Sequence, residues 1–118
     1  MKRIHPLFRA LSGIAHAFRS RITLRIHITI AVAVVTAGFY FHVSELEWCI
    51  LLVCIGAVIT AELFNTSLPR RLKQELPTTM EANQVPFDIA AGAMLVVCLM
   101  TAVIGCIIFI PYISEYLS

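Results

Sequence analysis

Polar and apolar positions alternate with a helical period at the start of the chain, and the polar positions then almost vanish. Over residues 4–21, Ile4, Leu7, Phe8, Leu11, Ile14, Ala15 and Phe18 fall on one helical face, while Arg9, His16 and Arg19 lie largely off it. That spacing predicts an amphipathic helix lying in a membrane surface, with residues 1–25 as the surface segment. Three apolar runs follow, at 26–43, 48–64 and 89–113. A helix needs about 20 residues to cross the hydrocarbon core, with a range near 17–25, so all three fit and the second only just. Backbone groups in lipid must be bonded within their own segment, which leaves helix as the state for these runs. Between the second and third runs, Pro69 is expected to bend or end any helix continuing from the second span. The stretch ELPTTMEANQVP reads as irregular.

Composition makes lipid the required solvent. Of 118 residues 59% are hydrophobic and 14% charged, and the mean hydropathy is +0.88. A body this small cannot hide so much apolar surface from water. The expected fold is therefore an all-α membrane protein: an N-terminal amphipathic surface helix plus three transmembrane helices, in one domain spanning 1–118. The first apolar run is read as a permanent span and not a cleaved signal, because a long basic amphipathic segment precedes it. The four cysteines, Cys49, Cys54, Cys98 and Cys106, sit inside apolar runs without a CxxC pair and read as small apolar residues.

Charge sets the expected orientation. Lys2, Arg3, Arg9, Arg19, Arg21 and Arg25 precede or open the first span, and Arg70, Arg71 and Lys73 lie in the loop from Thr66 to Phe87. Around His42–Glu47 and after the third run there is no Lys or Arg. By the positive-inside rule the N-terminus is cytoplasmic and the C-terminus outside. The basic arm reads as a topology signal and an anionic-lipid contact. No nucleic-acid signature, HExxH or phosphate-binding glycine loop occurs.

Glu62 is the residue that most demands chemistry. A carboxylate within an apolar span is costly unless paired, hydrated or kept for function. Asn65 follows three residues on and shares its helix face. Thr66 and Ser67 add hydroxyls just beyond, and Asp88 opens the third run at the same depth. Asp88 serves equally well as a site residue or as a helix N-cap. Arg25 and His27 open the first span, where cationic and polar groups also act as interfacial anchors. Gly92, with Ala91 and Ala93, forms a small-residue patch that suits close helix approach.

These features resemble the prokaryotic diacylglycerol kinase and undecaprenol kinase family, small three-span membrane enzymes that phosphorylate lipid hydroxyls with ATP. Four stretches carry the likeness, in matching order and spacing: FRALSGIAHAFRS, LRIHITIAVAVVTAGFYFHVSELEW, ELFNTSL and DIAAGAML. The segments RIH, FHVSELEW and AAGAML look closer to the undecaprenol kinase branch. The resemblance implies a homotrimer in the bacterial inner membrane, a membrane lipid as substrate, and ATP with magnesium. It assigns the general base to Glu62 and its support to Asn65, and its K-D-x-x-A-G aspartate maps onto Asp88; Asp88 and Arg25 are taken as candidate substrate- or nucleotide-binding residues.

Four positions depart from the family pattern. The second Glu of its E-x-x-N-[ST]-[AS]-[IL]-E signature falls on Pro69, and an acid four positions later falls on Lys73. Another metal-binding Glu falls on Arg21, and the Lys of the K-D-x-x-A-G pattern on Phe87. No metal-ligand set is assigned in this chain. Phosphoryl transfer depends on positioning and charge neutralisation, much of it by the metal, and magnesium is held through carboxylates and phosphates. The lipid half of the site is thus expected to be kept and the nucleotide half altered. Two readings follow: an ATP-dependent lipid kinase, or a degenerate relative that binds lipid or a membrane partner without transferring phosphate.

Overall fold

The computed structural model describes residues 4–68 and 80–118, with side chains placed over 5–68 and 85–118. Lys2, Arg3, Pro69, Arg70, Arg71 and Lys73 lie outside the described residues, as does the first part of the stretch expected to be irregular. The described residues form four helices: α1 (Ile4–Ser20), α2 (Ile22–Phe41), α3 (Glu45–Ser67) and α4 (Met80–Leu117). Three of them, α2, α3 and α4 from Val85, are long and apolar enough to cross a membrane. The protein is an all-α membrane protein with three spanning helices and a short amphipathic helix before them.

The helix α1 carries its apolar stripe uncovered by protein: Leu7, Phe8 and Leu11 are all more than half exposed. It ends where Arg21 adopts an extended backbone (φ −123, ψ 114), and α2 starts at the next residue. The surface segment therefore stops five residues earlier than expected from the sequence, and Arg25 belongs to the first spanning helix. Within α2, the hydroxyls of Thr29 and Thr36 donate to the carbonyls of Arg25 and Val32, each at 2.8 Å. Such back-bonding satisfies side-chain polarity inside the helix, as lipid requires.

A short connection joins α2 to α3. His42 closes α2 in the left-handed region (φ 54, ψ 52), its N–H donating to the Gly38 carbonyl. Ser44 then opens α3 with a capping box: its Oγ accepts from the Glu47 N–H at 3.2 Å, and the Glu47 carboxylate accepts from the Ser44 N–H at 2.9 Å. The reciprocal cap begins α3 three residues before the apolar run, which lengthens a span that hydropathy alone made marginal. At the other end Leu68 is extended (φ −64, ψ 135), the conformation favoured immediately before a proline.

Residues 80–86, expected to be irregular, are helical and belong to α4. Pro86, the seventh residue of α4, has no N–H to bond the carbonyl four residues back, so it removes one backbone bond without ending the helix. Asp88 consequently lies inside α4 and is not an N-cap. At 38 residues α4 extends about 57 Å by helical rise.

Packing centres on α3, which touches α4 most extensively and α2 next. The buried apolar cluster of Val43, Leu51 and Ile108, with Phe41, Trp48, Phe109 and Tyr112 against it, lies toward the α2–α3 connection. Trp48 crosses directly over Gly38: a Cβ there would meet the indole Cη2 at 2.6 Å. The Tyr112 hydroxyl donates to Glu47, tying the C-terminal part of α4 to the start of α3.

Candidate functional site

At the end of the bundle bearing α1, the break between α1 and α2 is pressed against the last turns of α3. The Arg21 N–H donates to the Ala17 carbonyl at 2.9 Å, and the Arg21 carbonyl accepts from Arg25 at 3.5 Å, so the break interrupts the helices by a single residue. Ala17 and Leu24, flanking Arg21 by about one turn on each side, are buried. That seating directs the Arg21 guanidinium to Glu62: Nη2 lies 3.9 Å from Oε1, with the carboxylate side chain 2% and the guanidinium side chain 32% exposed. Glu62 is the buried charged residue of the described core.

This ion pair is loose. A hydrogen-bonded N–H···O contact lies near 2.7–3.2 Å, and 3.9 Å exceeds that. Among the described residues, three buried polar atoms have no hydrogen-bond partner: Arg21 Nε, Glu62 Oε1 and Thr66 Oγ1. Thr66 follows Glu62 by four residues on α3, which places both on one helix face. Unpartnered buried polar groups are costly, so this end of α3 carries polarity that apolar packing alone would not select.

The expected site residues are distributed around this pair. Glu62 faces the α1–α2 break. Asn65 is half-buried and lines an apolar groove between α3 and α4, with Gly56, Phe64, Pro86, Ile89 and Ala93 among its walls. Glu62 and Asn65 therefore sit near one another on α3 and address adjoining surroundings. Asp88 is exposed on α4 beside the buried Phe87, and Arg25 is exposed on the first turns of α2. Sequence reasoning found Glu62 but not its partner. The signal for Arg21 was the rule that an acid within a span needs a countercharge, combined with a basic residue at the junction of two helical patterns. A second cleft, lined by Val34, Leu51, Cys54, Thr101 and Gly105 with His27 toward one end, runs between the three spans.

The model of the prokaryotic diacylglycerol kinase family matches residues 9–109, which include α2, α3, the Arg21–Glu62 pair and most of α4. This chain belongs to that family. It is 30% identical over 99 residues to the undecaprenol kinase of Bacillus subtilis, covering 84% of this chain and 80% of that protein. It is 29% identical over 107 residues to the diacylglycerol kinase of Synechocystis sp., covering 89% of this chain and 61% of that protein. No solved structure matches the chain.

Proposed function

We propose that the protein is a membrane lipid kinase that transfers the terminal phosphate of ATP to the hydroxyl of a lipid alcohol, undecaprenol or diacylglycerol, in envelope or phospholipid metabolism. The observation carrying this reading is Glu62, a carboxylate 2% exposed toward the end of a spanning helix and within the family match. In the proposed step the lipid O–H gives its proton to Glu62 while its oxygen forms a bond to the terminal phosphorus. The bond from that phosphorus to the bridging oxygen breaks, and ADP leaves with the electron pair. General-base help of this kind contributes about 10²–10⁴-fold. The groove between α3 and α4 suits an acyl or isoprenoid chain, and Asn65 in its wall supports the headgroup in this reading.

The family implies magnesium with the nucleotide, and the described residues do not fit a magnesium ion on Glu62. The carboxylate already has a guanidinium as countercharge 3.9 Å away, and a divalent ion there would meet Arg21's like charge. Among the described residues no three His, Cys, Asp or Glu gather as a ligand set. No metal step is assigned here. The same pair supports a second reading, a relative that binds lipid without transferring phosphate. We further propose that the chain resides in the bacterial inner membrane with its N-terminus cytoplasmic and works as a homotrimer. Incubating the purified protein in nanodiscs with γ-labelled ATP and each lipid alcohol separates the readings. Labelled lipid above the Glu62→Gln control supports the kinase, and lipid binding with no label transferred supports the second reading.

A further inference from the structure

We infer that the cleft between the three spans holds one hydrocarbon chain of a membrane lipid as a resident part of the folded protein, entering from the end that bears α1. The site is separate from the groove that carries Asn65: the two share no lining residue and open on different sides of α3. It stands whether or not the protein transfers phosphate.

Each span contributes a wall. Along α4 the lining runs from Cys98 to Phe109, about 16 Å by helical rise, and along α2 from His27 to Val34, about 10 Å. On α3 it takes in Leu51, Cys54 and Val58, all buried, so the cleft follows the seam on which the bundle packs. Leu51 and Phe109 also belong to the cluster around Val43 and Ile108, which stops the cleft near the α2–α3 connection. The way in is therefore from the His27 end. Gly105 lines this space, and a Cβ there would meet nothing beyond its own helical turn within 4 Å.

Size and chemistry select the occupant. A volume of about 430 Å³ spread over roughly 13 Å of length has a mean section near 33 Å², about 6.5 Å across. A helix with its side chains is about 10–12 Å across, so the cleft is too narrow to seat a spanning helix of a second copy. Water is no better suited. A buried water needs about two to four polar partners, and the walls are apolar apart from His27 and Thr101. Left empty, the walls forfeit dispersion contacts across the whole void. A hydrocarbon chain is narrow and apolar, and the bilayer presents one at every depth of the spans. Leaving other chains gains it no hydrophobic free energy, so close packing against these walls is what holds it. With the far end closed, the terminal methyl lies toward Leu51 and Phe109, and the lipid head stays at the His27 end.

The test uses full-length protein in nanodiscs, without nucleotide, doped with a phosphatidylcholine that carries a diazirine near the end of one acyl chain. After illumination, mass spectrometry maps where the chain has inserted. Leu52 and Ile107, 56% and 68% exposed, report ordinary bilayer contact, and Leu51 and Phe109 report the cleft. Insertion at both pairs is expected in the unaltered protein. Gly105→Phe puts a ring into the cleft and is expected to lower the ratio of cleft to bilayer insertion about tenfold. Gly92→Phe, the same change on α4 away from the cleft lining, is expected to leave the ratio standing, as is Glu62→Gln. Ala102→Leu, a smaller plug from the same wall, is run beside Gly105→Phe and is expected to lower the ratio too, so a folding failure in one variant leaves the other to decide. Benzoylphenylalanine in place of Ala102 is expected to capture lipid. No insertion at Leu51 and Phe109, a ratio that both plugs leave unchanged, or capture of a second copy at Ala102 in place of lipid would each overturn the resident chain. With no nucleotide present, none of these outcomes depends on phosphate transfer.

Discussion

Two single residues show how closely the spans are fitted. Gly38 lets the Trp48 indole lie against the α2 backbone, with room for no Cβ before 2.6 Å. Phe39 meets the same ring at 4.8 Å between centroids, so the indole has neighbours on more than one side. Gly38→Ala must push the ring or the helix aside, and overpacking of this kind costs about 1–3 kcal/mol. Thermal unfolding in detergent should show the loss, and combining it with Trp48→Leu should recover part of it. An unchanged transition in Gly38→Ala would mean that the indole does not pack there. Glu62 was legible at this scale because a charge in an apolar run stands out in any hydropathy profile. Arg21 as its partner was not, because their approach depends on how the α1–α2 break docks on α3, and no local pattern encodes that.

At the scale of elements, hydropathy located the three spans and proline placed one helix end. Leu68 turns extended just before Pro69, as steric restriction before proline requires. Hydropathy could not find the beginning of α4, because Glu81, Asn83 and Gln84 carry polar side chains and Pro86 mimics a breaker, yet helix starts at Met80. Nor could it find the early start of α2, because the apolar run begins at 26 whereas the helix resumes at Ile22. The amphipathic period of α1 was plain, and its apolar stripe is left uncovered. If that stripe lies in the bilayer interface, a tryptophan at Phe8 should be strongly quenched by lipids brominated near the headgroup, after subtraction of the Trp48 signal. A tryptophan at Arg9, off the apolar face, should be quenched much less. Equal quenching at both positions would argue that α1 stands free of the membrane.

For the whole molecule, the exposed surface is the informative quantity. Only 6% of the most apolar window of α4 and 11% of that of α2 are buried inside one chain, against 22% for α3. A single copy thus leaves most of its spanning surface to lipid or to further copies. Cross-linking in membranes is expected to trap dimers and trimers, and monomer alone at all cross-linker levels would refute the trimer. A periplasm-dependent reporter fused to the C-terminus is expected to be active and the same reporter after Lys73 inactive; the reverse pattern would invert the proposed topology. In the proposed function the Glu62 carboxylate, toward the end of α3, serves phosphate transfer to a lipid hydroxyl. The most direct measurement of that role is the rate at which label passes from γ-labelled ATP to undecaprenol, using the reconstituted protein and its Glu62→Gln variant side by side. Labelled lipid is expected from the unaltered protein, with a fall of about 10²-fold or more in the variant. Equal rates from both proteins, or no labelled lipid from either, would contradict it.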